Sequence, residues 1–176
     1  MATPYESLAS MIGKNEADAA INDYLTTGGQ NIDPQTTAWC AAAVNTALGQ
    51  SGIQGTGKLN ARSFMDWGQP VNQPQRGDVA VFSRGDPNGW QGHVGFFDGY
   101  DANGNIRVLG GNQGDAVSIA SYSPDSLLGF RRGDTQNHLA SGQPQQGDPR
   151  QNYLKAWEPE STALDVSSFM NKRQFA

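Results

Sequence analysis

The dipeptide Asn103-Gly104, set between the apolar runs at 90–98 and 106–112, most narrows what this chain can fold into. A tight two-residue hairpin turn needs left-handed backbone at its centre, and Asn and Gly are the residues that tolerate it. The middle of the chain is therefore committed to antiparallel pairing. With those two residues at the centre of the turn, Ala102 pairs with Asn105 and Gly95 faces Asn112. His93 then lies diagonal to Asn112 on the same face of the sheet. A slip of one residue would send every side chain to the other face.

Further strands follow from turn-bounded apolar runs. Val79 to Ser83 comes after Arg76-Gly-Asp78, and residues 116–120 and 127–131 continue beyond the hairpin, giving an antiparallel sheet of about five strands. Pro70 to Gln75 reads as a polar loop. Ahead of the sheet the period changes from two to that of helices, over residues 6–12, 15–25 (closed by Gly28-Gly29), about 36–49, and 60–67. Asp33 or Thr36 can cap the third helix, and Pro34 suits a first helical position. The expected class is α+β, with N-terminal helices packed on the sheet.

A chain of 176 residues suits one domain with a core. From Gly133 the composition turns to Gln, Gly, Asp, Pro and Asn, so the division expected is a domain over 1–132 and a polar linker and tail over 133–176. Two short apolar groups in the tail, Tyr153, Leu154 and Trp157, then Val166, Phe169 and Met170, suit docking on a protein partner. His138 in the tail reads as solvated.

A net charge of −5, a pI near 4.8 and the lack of any basic run argue against nucleic-acid binding. The N-terminus shows no export signal, and no run of apolar residues is long enough to span a membrane. Gly52, Gly57 and Lys58 have the spacing of a phosphate-binding loop, but Leu59 stands where Ser or Thr would hold magnesium, and a helix precedes the loop rather than a strand. Asp101-Ala-Asn-Gly-Asn105 opens like a calcium loop, yet its Gly comes early and no Glu closes it. Three Arg-Gly-Asp tripeptides begin at Arg76, Arg84 and Arg132, and they read as ordinary turn residues at strand ends.

Cys40 is the only cysteine, so no internal disulfide forms. With Val44 and Leu48 it falls on one helical stripe that faces the core, which favours a buried structural thiol. Its place near the helix start pulls the other way, since unpaired N–H groups and the helix dipole favour a thiolate. A cysteine nucleophile needs a base, a group to orient the base, and oxyanion donors. Cys40, His93 and Asn112 supply nucleophile, base and orienting group in the order Cys, His, Asn, and the Cys40 backbone N–H is a candidate donor.

The segments Ala-Trp-Cys-Ala-Ala (38–42), Gly-Asp-Val-Ala-Val-Phe (77–82), Trp-Gln-Gly-His-Val-Gly-Phe (90–96), Leu-Gly-Gly-Asn-Gln (109–113) and Leu-Gly-Phe-Arg-Arg (128–132) resemble the CHAP/NlpC-type cysteine peptidoglycan hydrolases, in particular a branch with a Gly-Gly-Asn-Gln motif. The resemblance spans about residues 5 to 132. It implies a papain-like fold and cleavage of an amide bond in cell-wall peptide, as amidase or endopeptidase, with Cys40, His93 and Asn112 catalytic and no cofactor or metal. Trp39, Trp90 and Gln113 are added as residues expected to line the substrate site. Ala43 departs from the aromatic usual in the family. The substrate expected is bacterial peptidoglycan, reached as a virion-associated or lysis enzyme of a phage. The alternatives are a toxin effector delivered to target cells, and a catalytically degenerate binding module of an assembly.

Overall fold

A computed structural model describes residues 2–133, so the expectations for the tail, its two apolar groups and His138 included, lie outside the described residues. The helices are α1 (Pro4–Ala9), α2 (Ala19–Thr27) and α3 (Cys40–Gln50), with 3-10 turns at Ala61–Asp66 and Pro124–Ser126. The strands are β1 (Gln69–Val71), β2 (Val79–Ser83), β3 (Gly92–Tyr100), β4 (Ile106–Gly110), β5 (Ser118–Tyr122) and β6 (Leu127–Arg132). They form one antiparallel sheet in the order β1-β6-β2-β3-β4-β5, an α+β arrangement consistent with a papain-like fold. The sixth strand is β1, in the stretch expected to be loop, where Pro70 sits on an edge strand that tolerates a missing N–H.

Helix α3 is the centre of the molecule. Every residue from Cys40 to Leu48 is buried, and its alanines at 41, 42, 43 and 47 keep it thin enough to be enclosed on all sides. One core joins α1, α2 and α3 to Val79, Val81, Val94, Phe96 and Leu109, and a second covers the other face of the sheet with Ala80, Phe82, Phe97, Val108 and Phe130. Helix α1 starts at a reciprocal cap between Thr3 and Glu6. Ser7 Oγ donates to Gln50 Oε1 at 2.6 Å, linking α1 to the end of α3.

The hairpin register differs from the expectation. Gly104 takes a left-handed φ of 80° while Asn103 does not, so the turn is a three-residue loop over 102–104. The Asp101 carboxylate accepts from the N–H groups of Asn103 and Asn105, each at 2.9 Å, and these bonds make it a turn-stabilising group. This moves the pairing by one residue, to Tyr100 opposite Ile106, and a bulge between Phe97 and Gly99 moves it by one more, to Phe96 opposite Leu109. Two single steps restore the original alternation, so the faces expected for His93 and its neighbours survive although the partners do not. Gly95 accordingly lies over Leu109 and Gly110, not over Asn112.

Ion pairs brace this sheet, and a hydrogen bond ties it to α1. Asp98, in the bulge, accepts from Tyr5 Oη at 2.6 Å and pairs with Arg76 at 3.1 Å and Arg107 at 2.7 Å. Asp78 holds Arg132 through two bonds of 2.7 and 2.6 Å, both side chains buried. Two of the Arg-Gly-Asp tripeptides therefore contribute a structural pair, in keeping with the turn reading.

Candidate active site

Cys40 opens α3 rather than lying one turn inside it. Residues 34–36 form a turn on Asp33, and Trp39 precedes the helix without offering it a side-chain cap. The first bond back into the chain is Ala43 N–H to Trp39 O at 2.9 Å, so the N–H groups of Cys40, Ala41 and Ala42 lack helical acceptors. Cys40 is 6% exposed. Burial pushes its thiol above the ordinary value, while the backbone N–H groups of Val94, Ala41 and Cys40 itself and the Arg84 charge pull it down without prevailing.

His93 is the second residue of β3 and faces Phe82 across the β2–β3 pair. Its ring stacks on Tyr122 at 5.1 Å between centroids, and Tyr122 stacks on Phe82 at 4.8 Å. Burial is the main reason its pKa is lowered to about 4, helped by Arg84 and opposed by its bond to Gln113. The resting groups are thus a neutral thiol and a neutral imidazole. No hydrogen bond joins them among the described residues, but both respond to Arg84, and Tyr122 feels Cys40 as well as stacking on His93.

The partner of His93 is Gln113. Its Oε1 lies 2.9 Å from His93 Nε2 and also accepts from Tyr122 Oη at 3.0 Å. Its Nε2 donates to Ser118 O at 2.7 Å and more loosely to Val108 O at 3.3 Å. Those carbonyls accept only, so the amide is fixed with oxygen toward the ring, His93 Nε2 carries the proton, and Nδ1 keeps its lone pair. Gly110 makes room for this bond, since a Cβ there would stand 2.8 Å from Gln113 Oε1 and 3.1 Å from His93 Nε2.

Asn112, expected to orient the base, has a φ of 57° and makes no side-chain hydrogen bond among the described residues. It occupies the left-handed turn position that Asn tolerates. Gln113, expected to line the substrate site, has both ends of its amide engaged internally. Trp39, given the same role, is fully buried and packs where a Cβ on Gly111 would fall 2.5 Å from its ring, so it does not line an open surface. Ala43 lies against the same glycine, which explains why a small residue follows Cys-Ala-Ala. Trp90 is 75% exposed on the β2–β3 loop, open to a ligand.

The sequence reading missed Tyr122. Its signal was the alternation Ser118, Ala120, Tyr122, which a correct register sets on the same face as Gly110, Val108 and Ile106. No group of three or more His, Cys, Asp or Glu side chains among the described residues is arranged to hold a metal ion. No helix among them is long and apolar enough to cross a membrane.

The CHAP domain family matches residues 32–112 of the chain, a span that holds Cys40, His93 and Asn112 and stops one residue short of Gln113. The match supports the CHAP family, whose domains are generally cysteine- and histidine-dependent hydrolases, and points to amidase or peptidase action on peptidoglycan. Neither the search of curated proteins nor that of solved structures returned a match.

Proposed function

We propose that residues 1–132 form a cysteine hydrolase that cleaves an amide bond in the peptide of bacterial peptidoglycan, with Cys40 as nucleophile, His93 as base and Gln113 as the residue that orients the base. The observation that carries this reading is the Gln113 amide, fixed at both ends and bonded to His93 Nε2 at 2.9 Å, which leaves Nδ1 as the basic nitrogen of the ring. Because both groups rest neutral, the Sγ proton passes to Nδ1 as the S–C bond forms. The N–H groups of Cys40 and Ala41, free of helical acceptors, suit the developing oxyanion. His93 then returns its proton to the leaving amine as the C–N bond breaks, giving a thioester. A water attacks that thioester, passes its proton to His93, and the thiol leaves reprotonated.

Clearing of a suspension of purified cell walls tests this. The full chain should clear it, and Cys40→Ala should fold to the same melting temperature and clear nothing. Undiminished clearing by that variant would end the proposal.

A second reading, a degenerate binding module, is favoured by one observation, the raised Cys40 thiol with no hydrogen bond to His93. It predicts wall binding without wall cleavage by the wild-type chain. As for setting, we assign the protein to a phage particle or lysis system, with delivery as a toxin the alternative, and the tail over 133–176 as the arm that docks on a protein partner. Mass spectrometry of purified particles finds the chain under the first assignment, and its absence there counts against it.

A further inference from the structure

The β2–β3 loop carries a cation that the mechanism above does not use. The β2–β3 pairing sets Phe82 opposite His93 and Ser83 opposite Gly92, and Arg84 N–H extends the ladder to Gln91 O at 3.2 Å. Arg84 is two residues beyond Phe82, so it belongs to the face of His93 and stands diagonal to it, a separation that a long side chain spans. It is exposed. Among the described residues its guanidinium makes no hydrogen bond or ion pair. Other arginines are engaged: Arg76 and Arg107 on Asp98, Arg132 on Asp78.

The loop that presents it is held in place. Arg62 Nε donates to Gln91 O at 2.8 Å, and its two terminal nitrogens donate to Pro87 O at 2.9 Å and Asp86 O at 3.1 Å. One guanidinium thereby clamps both limbs of the loop, and Asp86 caps its tip through Asn88 N–H at 2.9 Å. An unpaired cation on a braced loop, on the face of the base, is placed to receive an anion presented with the scissile bond. Its charge acts on Cys40, His93 and Tyr122, in keeping with the placement that the strand register gives it.

We propose that Arg84 is a specificity-determining residue that binds a free carboxylate of the substrate peptide close to the bond attacked by Cys40. This rests on the hydrolase reading, because the carboxylate is that of a peptide held in the same site. A guanidinium pairs with a carboxylate through two parallel N–H bonds and makes no such pair with a neutral amide. The site is therefore expected to discriminate a peptide with a free carboxyl group from the same peptide amidated.

Alkylation of Cys40 by iodoacetate and by iodoacetamide isolates the anion from the chemistry. Both reagents form the same S–C bond with loss of iodide and differ in a carboxylate against an amide. Any effect of Arg84 on the thiol acts on both rates, so their ratio reports the anion alone. The full chain should favour iodoacetate relative to a small free thiol, Arg84→Gln should lower the ratio by about tenfold, and Arg84→Lys should keep most of it. An unchanged ratio in Arg84→Gln, with both rates lowered together, would overturn the proposal and make Arg84 a thiolate stabiliser instead. The companion measurement is kcat/KM on a wall peptide with a free carboxyl group and on its amidated form. Wild type should prefer the first, and Arg84→Gln should bring the two to the same rate. Equal rates in wild type would overturn the carboxylate assignment while leaving the hydrolase intact. A ratio that shifts while neither peptide is cut would remove the hydrolase reading, and with it the substrate assigned here.

Discussion

At the scale of single residues, Gln113 and Asn112 are neighbours with opposite fates. Gln113 holds the imidazole and is held in turn by Ser118 and Tyr122, whereas Asn112 supplies a left-handed backbone. Gln113→Ala should therefore lower kcat by about ten- to a hundredfold with KM little changed, by releasing the ring from its tautomer and orientation. Asn112→Ala should cost turn stability more than activity, and steady-state kinetics on the two variants separates them. A larger loss of kcat in Asn112→Ala would return the orienting role to that residue. Cys40 and His93 stood out as candidates in the sequence because a lone thiol and a lone domain imidazole leave few choices. Which amide bonds the His93 ring was not legible, because choosing between adjacent amides needs a register accurate to one residue. The raised thiol also sets an expectation for Cys40: iodoacetamide should react slowly at pH 7 and faster only above the ordinary thiol value of 9.0. A fast reaction at pH 7 would contradict the neutral resting pair.

At the scale of elements, the glycines at the end of β4 join the two halves of the site. Gly111 lets α3 approach, since a Cβ there would meet Trp39 at 2.5 Å and Ala43 at 2.8 Å, and Gly110 leaves room for the Gln113–His93 bond. Gly111→Ala should destabilise the fold by about 1–3 kcal/mol through overpacking against buried neighbours, read as a lower denaturation midpoint. Gly110→Ala should reduce activity out of proportion to stability, because its Cβ meets the amide and the ring. Most element types were legible from periodicity and turn residues; the exceptions are β1, in a stretch expected to be loop, and the 3-10 turn Ala61–Asp66, where a helix was expected. The start of α3 was displaced because Asp33 closes a turn of its own, leaving Cys40 as the first helical residue. The register was displaced because a Gly104 turn and an Asp98 bulge each add a residue, and a bulge held by Arg76, Arg107 and Tyr5 depends on contacts far apart in sequence.

At the scale of the whole molecule, the buried His93 ties stability to pH. Its pKa is lowered from 6.5 to about 4 in the folded chain, so between those values the unfolded chain binds a proton that the folded chain refuses. Stability contributed by the neutral ring is present above pH 6.5 and is lost as pH falls toward 4, by about 3 kcal/mol. Urea denaturation at a series of pH values should show this decline, and His93→Gln should flatten it. The α+β class and the sheet were legible from the change of hydrophobic period at residue 79, but the enclosure of α3 on all sides was visible only as a run of alanines. Mass analysis of the fragments released from purified peptidoglycan tests the central claim most directly. Wild type should release peptides with paired new amine and carboxyl ends at one kind of amide bond, and Cys40→Ala should release none. Identical fragments from both, or intact peptide chains after exposure to wild type, would contradict a Cys40-dependent peptidoglycan hydrolase.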